Sequence, residues 1–282
     1  MFNEDEVDLK NTLKGVMSNF WSLTDSSTAN FTTEDFTVVL VCDGYERIPE
    51  SFKKYARNKG FLDEEQLVEQ GFMTKNSDGN YKPKPLDSLV VSQEASMVPQ
   101  NLLQCFEATT ADFGIEGFAG AEKPINLLFC IKQKNDGKIN SHKWFFQGIC
   151  DYLQPDYTLL LDIGTRPDHN SVLKLVNYFE ANPQVGGLCG EIEAECVPGT
   201  FFESFIQAAQ YYEYKSAYSP EKPCESLFGW TTALPGAYSM LRLKAVVGTP
   251  LDILFKNTSR SAQVMSCSEA NEYLTEDRIL CL

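Results

Sequence analysis

Apolar residues fall along this chain in two rhythms. Leu9, Leu13, Val16 and Phe20 recur at helical spacing, which predicts an amphipathic helix over residues 5–20. Three later stretches are instead continuously apolar: Phe36-Thr-Val-Val-Leu-Val-Cys-Asp43, Ile125-Asn-Leu-Leu-Phe-Cys-Ile131 and Tyr157-Thr-Leu-Leu-Leu-Asp-Ile163. A strand that is apolar on both faces is covered on both faces, which is the habit of parallel sheets. Helices are predicted over residues 141–152, with Trp144, Phe145 and Ile149 on the apolar side, and over 170–181, with Val172, Leu175, Val176 and Phe179 inward. Strand–helix alternation of this kind gives an α/β chain with a doubly wound, mostly parallel sheet flanked by helices. Ligands of such sheets bind beyond the carboxyl ends of the strands. Asp43 and Asp162 both stand at ends of that type.

The rhythm breaks over residues 60–123, where Gly79, Pro83 and Pro85 punctuate a polar run. That stretch reads as an insertion with a short helix near residues 63–70. Past Gly187 the pattern loosens again, into Glu191-Ile-Glu193, a helix over 201–216 carrying several aromatics, and the turn Leu234-Pro-Gly-Ala237. No internal repeat is visible.

Composition narrows the function classes. The 282 residues are 43% hydrophobic and 22% charged, enough apolar material for one large α/β domain or two smaller ones. A formal net charge of -15 repels phosphate backbones, so nucleic acid is not an expected partner. Nine cysteines are scattered without a C-x-x-C pair, which suits reduced thiols better than disulfides or a zinc site. Cys42 and Cys130 lie within strand-like runs and read as core. The longest apolar runs fall far short of the roughly 18–20 residues of a membrane helix, and the N-terminus is acidic rather than signal-like. Taken alone, this chain is expected to be soluble.

Asp162, at a strand end and followed by Gly164, offers a hard oxygen to Mg²⁺ or Mn²⁺, although a carboxylate there also serves as a turn cap. Asp43-Gly44 has the same placement and is equally an ordinary turn signal. Lys138 precedes a helix whose N-terminus suits phosphate, with Ser141 as a candidate N-cap. Glu276-Asp277-Arg278 sets two carboxylates beside an arginine. Such a group can take a proton from a hydroxyl, or can simply be a solvated acidic face. No G-x-G-x-x-G follows the first strand, which argues against a nicotinamide-binding fold.

Taken together, these segments resemble the chitin synthases, processive inverting glycosyltransferases of the GT-A fold. The likeness runs through Met1-Phe-Asn-Glu-Asp-Glu6, Leu13-Lys-Gly-Val-Met-Ser-Asn19, Val41-Cys-Asp-Gly44, Phe129-Cys-Ile-Lys-Gln-Lys-Asn135 and Lys138-Ile-Asn-Ser-His-Lys-Trp-Phe-Phe146. It continues through Leu161-Asp-Ile-Gly-Thr-Arg-Pro167, Cys189-Gly-Glu-Ile192, Gln210-Tyr-Tyr-Glu-Tyr-Lys215, Glu225-Ser-Leu-Phe-Gly229, Leu234-Pro-Gly-Ala237 and Tyr273-Leu-Thr-Glu-Asp-Arg-Ile-Leu-Cys281. Each motif alone is weak; their order and spacing are specific.

The resemblance implies a single GT-A-like domain over residues 1–282, moving N-acetylglucosamine from UDP-GlcNAc to the 4-hydroxyl of a growing β-1,4 chain with inversion. Glu4 and Asp43 would hold the uridine, Lys138 would lie near the diphosphate, and Asp162 would bind Mg²⁺ or Mn²⁺. Glu191 with Leu234, Pro235, Gly236 and Ala237 would shape the donor and acceptor sugar sites. Asp277 would be the base, flanked by Glu276 and Arg278. The family's Gln-x-x-Arg-Trp motif and membrane helices do not occur in the sequence, which implies a catalytic fragment that binds UDP weakly and does not polymerise alone. In the full-length enzyme the same resemblance implies a plasma-membrane or vesicle location, with this domain facing the cytosol, and allows a homo-oligomer. Related hyaluronan- or cellulose-type synthases, and a non-catalytic UDP-sugar-binding module, are the alternatives.

Overall fold

A computed structural model describes residues 6–25, 31–60, 62–84, 103–115, 124–195 and 201–255. The chain divides into two compact units, Met1–Tyr152 with Ile163–Lys174, and Leu153–Asp162 with Leu175–Leu282. The first holds α1 (Glu6–Thr24), β1 (Val38–Cys42), α2 (Glu50–Lys59), α3 (Glu64–Glu69), a hairpin of β2 (Met73–Lys75) and β3 (Tyr81–Pro83), β4 (Leu103–Thr109), β5 (Asn126–Lys132) and α4 (Gly137–Trp144). A π-helical turn, Phe145–Ile149, carries α4 into α5 (Cys150–Leu153).

The sheet of this unit has the order β1-β5-β4. β1 and β5 are parallel and β4 is antiparallel to β5. The continuous apolar runs are β1 and β5, as the sequence predicts, and their alternate side chains enter one core with Leu9, Leu13, Met17 and Phe20 of α1 and Phe52 of α2. Fully burying a side chain such as Phe129 or Phe52 is worth about 2–3 kcal/mol, so this cluster is what commits α1 to the sheet. The helix predicted over 5–20 runs one turn further, because Leu23 continues the same buried stripe.

Residues 163–174 join this unit through α1. Asn19, itself buried, donates to the Asp168 carbonyl at 2.8 Å and accepts the Val172 amide at 2.9 Å. Thr12 accepts the Gly164 amide at 3.0 Å. A Cβ at Gly15 would lie 2.9 Å from the Pro167 ring, so the close approach needs glycine there.

The stretch expected as an insertion supplies more than a short helix. Its residues 103–109 form β4, an edge strand whose cysteine Cys105 faces Cys130 directly across the pair. An edge strand is half exposed and mixes polar with apolar residues, so it lacks the continuous apolar signature of β1 and β5.

The second unit holds β6 (Tyr157–Leu161), the later turns of α6 (Ser171–Ala181), β7 (Gly187–Cys189), α7 (Phe201–Ser216), a π-turn at Ala217–Glu221, α8 (Lys222–Leu227), β8 (Tyr238–Arg242), α9 (Leu243–Val246) and α10 (Thr249–Phe255). Its sheet has the order β6-β8-β7, with both outer strands antiparallel to β8. Tyr157 stacks on Phe179 at 5.0 Å between ring centroids, and Arg242 lies over both rings while donating to the carbonyls of Phe179 and Val185. The mixed α/β class, with helices around a parallel-containing sheet, is the one read from the sequence. Among the described strand pairs β1–β5 is the parallel one, because β4 and β8 pair antiparallel with their neighbours.

Candidate functional site

Two groups of sequence-selected residues take shape, one in each unit. In the first, parallel pairing sets Cys42 opposite Ile131, so the next residues, Asp43 and Lys132, emerge side by side. Lys132 has 0% of its surface exposed. A buried ammonium is costly unless every donor is used. Its Nζ lies 2.6 Å from Asp43 Oδ1 and donates to Ser141 Oγ at 3.1 Å and to the Gly137 carbonyl at 3.2 Å. Burial pulls the Lys132 pKa below its usual value, opposed by the nearby Asp43 and Asp136 carboxylates.

Asp43 Oδ1 also accepts the Asp136 amide at 3.2 Å. The turn that follows Asp43 is tight, with Gly44 at φ +93°, and a Cβ there would sit 2.6 Å from the Asn135 nitrogen. The end of β1 therefore abuts the loop that opens α4. Lys138, exposed, stands in the first turn of that helix.

Ser141 is not the N-cap. The helix begins at Gly137, and Ser141 lies inside it as an acceptor for Lys132. The first turn of α4 is mostly polar, so apolar spacing alone places its start too late.

In the second unit, β6 and β7 run antiparallel to β8 and hence share a direction. Leu161 faces Tyr238 and Cys189 faces Ser239, so the carboxyl ends of both strands meet the segment entering β8. Asp162, Glu191 and Leu234-Pro-Gly-Ala237 thus share one sheet edge. The Asp162 amide donates to the Ala237 carbonyl at 3.3 Å. A Cβ at Gly190 would lie 2.3 Å from the Tyr238 ring, which fixes how closely Glu191 follows that strand.

Asp162 and Glu191 are exposed, whereas Leu234 and Gly236 are buried. Glu191 and Glu193 both pair with Lys215 of α7, Glu191 at 2.6 Å. The residues before Leu234 are held by α8. Glu225 accepts the Thr231 hydroxyl at 2.9 Å, the Thr232 amide at 3.0 Å and the Thr232 hydroxyl, while Lys222 donates to the Ala233 carbonyl. The Thr232 hydroxyl and amide, with Thr231 and Lys222 behind them, hold the Glu225 carboxyl down at about 2.

Glu4, Glu276, Asp277 and Arg278 lie outside the described residues. Among the described residues no three His, Cys, Asp or Glu side chains gather as a metal-ligand set. Asp162 is therefore one hard oxygen on an open edge. That donor set suits an Mg²⁺-type ion, which keeps most of its shell for water and a ligand's phosphates and takes one or two carboxylates from protein.

Sequence reasoning gave no part to Lys132, Lys215, Lys222 or Glu225. The last three are surface-like charges on helices. Lys132 sits in the run Lys132-Gln-Lys134, which looks solvated, and only the β1–β5 register reveals its partner.

Comparison with known proteins decides the family. The model of the chitin synthase-like glycosyltransferase domain matches residues 1–282. The chain belongs to that family. Chitin synthase 2 of Mycosarcoma maydis is 34% identical over 291 residues, covering 99% of this chain and 25% of the relative. Chitin synthase 1 of Saccharomyces cerevisiae is 34% identical over 288 residues, covering 100% of this chain and 24% of the relative. Chitin synthase 1 of Mycosarcoma maydis is 32% identical over 298 residues, covering 99% and 31%. This glycosyltransferase domain therefore spans about a quarter to a third of the length of the curated relatives it matches. None of its described helices is long and apolar enough to cross a membrane.

Proposed function

We propose that this domain transfers N-acetylglucosamine from UDP-GlcNAc to the 4-hydroxyl of a β-1,4-linked acceptor, inverting the anomeric centre in one in-line displacement. The observation that carries the reading is the shared edge of Asp162, Glu191 and Leu234-Pro-Gly-Ala237 in a chain of this family.

Asp43, fixed by Lys132 and the Asp136 amide, accepts a hydrogen bond from the uracil base, with Glu4 assisting. Lys138, at the positive end of α4, faces the diphosphate. Asp162 would hold Mg²⁺ or Mn²⁺, which would supply positive charge against the negative charge that develops on the departing UDP. Glu191, steadied by Lys215, and the Leu234–Ala237 turn, steadied by Glu225 and Lys222, border the donor and acceptor sugars. Asp277 takes the acceptor's hydroxyl proton, with Glu276 and Arg278 beside it. Positioning and electrostatics supply most of the acceleration in such a displacement. Segments beyond this chain would hold the domain at the cytosolic face of a membrane.

The test is a chimera in which this chain replaces the matching stretch of the Saccharomyces cerevisiae relative, assayed with radiolabelled donors. Incorporation from UDP-GlcNAc, competed poorly by UDP-glucose and lost with Asp277→Asn, is the expected result. A preference for UDP-glucose would favour a cellulose- or hyaluronan-type synthase. Turnover unchanged by Asp277→Asn would favour a domain that only binds the sugar nucleotide.

A further inference from the structure

We infer that Lys132 is a positioning residue that sets base specificity, holding Asp43 so that it reads the donor's uracil; this rests on the donor-site reading above. The Nζ of Lys132 has three donors, and the Asp43 carboxylate, Ser141 Oγ and the Gly137 carbonyl take all three. With no exposed surface and no donor left over, Lys132 does not touch the nucleotide itself. It acts through Asp43.

The two bonds that fix the carboxylate, from Lys132 and from the Asp136 amide, both fall on Oδ1. Oδ2 is the acceptor that remains. The Asp43 side chain is 14% exposed, so this oxygen has a restricted outlook. A carboxylate oxygen of fixed direction accepts one N–H and rejects a ring nitrogen that carries a lone pair. Uracil presents N3–H between two carbonyls, whereas cytosine presents a bare N3. The chemistry thus separates uridine from cytidine nucleotides, and the separation depends on how rigidly Asp43 is held.

Ser141 and Gly137 belong to the same turns of α4 that carry Lys138. Lys132 therefore ties the base-reading carboxylate to the helix that meets the diphosphate. A lysine that served stability alone would, when removed, weaken all nucleotides alike.

The experiment is calorimetric titration of the 282-residue chain with UDP and with CDP at millimolar concentration and saturating Mg²⁺. The two ligands share ribose, diphosphate and metal, so the ratio of their affinities reads the base. The wild-type chain is expected to favour UDP. Lys132→Met should lower UDP affinity about tenfold, the contribution of one charge-assisted hydrogen bond, and leave CDP within about twofold. Asp43→Asn should collapse the ratio equally, and the double variant should be no worse than either single change, because both act through one carboxylate.

Should Lys132→Met fail to fold, Ser141→Ala removes one of the three anchors without touching Asp43, and it should lower the ratio about twofold to threefold. A folded Lys132→Met, or Ser141→Ala in its place, that keeps the wild-type ratio overturns the inference and leaves the donor reading standing. A wild-type chain that binds neither nucleotide overturns the donor reading, and this inference with it. One that binds both equally shows that Asp43 does not read the base.

Discussion

The two candidate regions solve the problem of placing a carboxylate in opposite ways. At the end of β1, Asp43 is clamped from inside by a lysine with no exposed surface and by a backbone amide. At the edge of the β6-β8-β7 sheet, Asp162 and Glu191 face solvent, and the order there is borrowed from side chains on α7 and α8. A buried, fully bonded charge is geometrically fixed before any ligand arrives, at the cost of its desolvation. An exposed carboxylate pays no such penalty and can take up a cation with its hydration shell. The contrast fits a region that discriminates a base and a region that meets a metal and sugars.

The difference can be broken most severely at Lys132. Lys132→Met leaves Asp43 largely buried without its cation, and the first unit should lose about 3–5 kcal/mol in urea unfolding. A loss below that of an ordinary surface substitution would mean that the clamp does not exist. Next in size is Gly44→Ala. At φ +93° and 2.6 Å from the Asn135 nitrogen, the added methyl should cost about 1–3 kcal/mol and loosen the contact between β1 and the α4 loop.

How far this contrast was legible in the sequence depends on the kind of element. Strands β1, β5 and β6 could be read because they are continuously apolar, with one face buried and most of the other at least partly covered. The helix over residues 201–216 matches α7, Phe201–Ser216. β8 stayed hidden although four of its five residues are buried, because Pro235-Gly236 directly before it reads as a loop. The strand-end reading of Asp43 and Asp162 matches their positions, directly after β1 and β6. Lys132 was missed, because a lysine's meaning comes from its partner, and the pairing of β1 with β5 crosses about ninety residues of chain that no local pattern records. The clamps on the second region share this origin. Glu225 looks like any helix-surface acid until the loop at 231–232 folds back onto it.

At the second region the expected effects are smaller and depend on pH. Glu225 is depressed from 4.5 to about 2, so its contribution is complete above the unfolded value and is lost as pH falls through about 2. Thermal melts between pH 5 and 2 should show stability draining from the wild-type chain over that window, with a flatter profile for Glu225→Gln. Equal slopes would show that the carboxylate does not hold the loop before Leu234. Smallest of all is Lys215→Met. Its ion pairs with Glu191 and Glu193 are solvent-exposed, and such pairs contribute little to folding. Its melting temperature should match that of the wild-type chain. A clear drop would put Glu191 in the same class as Asp43.

Most direct is calorimetric titration of UDP-GlcNAc into the 282-residue chain, run with Mn²⁺, with chelator, and with Asp162→Asn in Mn²⁺. Saturable binding that falls at least about tenfold on chelation, and by a similar factor in the variant, is the predicted result. Equal affinity under all three conditions, or no binding at millimolar donor, would contradict a metal-assisted sugar-nucleotide site at Asp162.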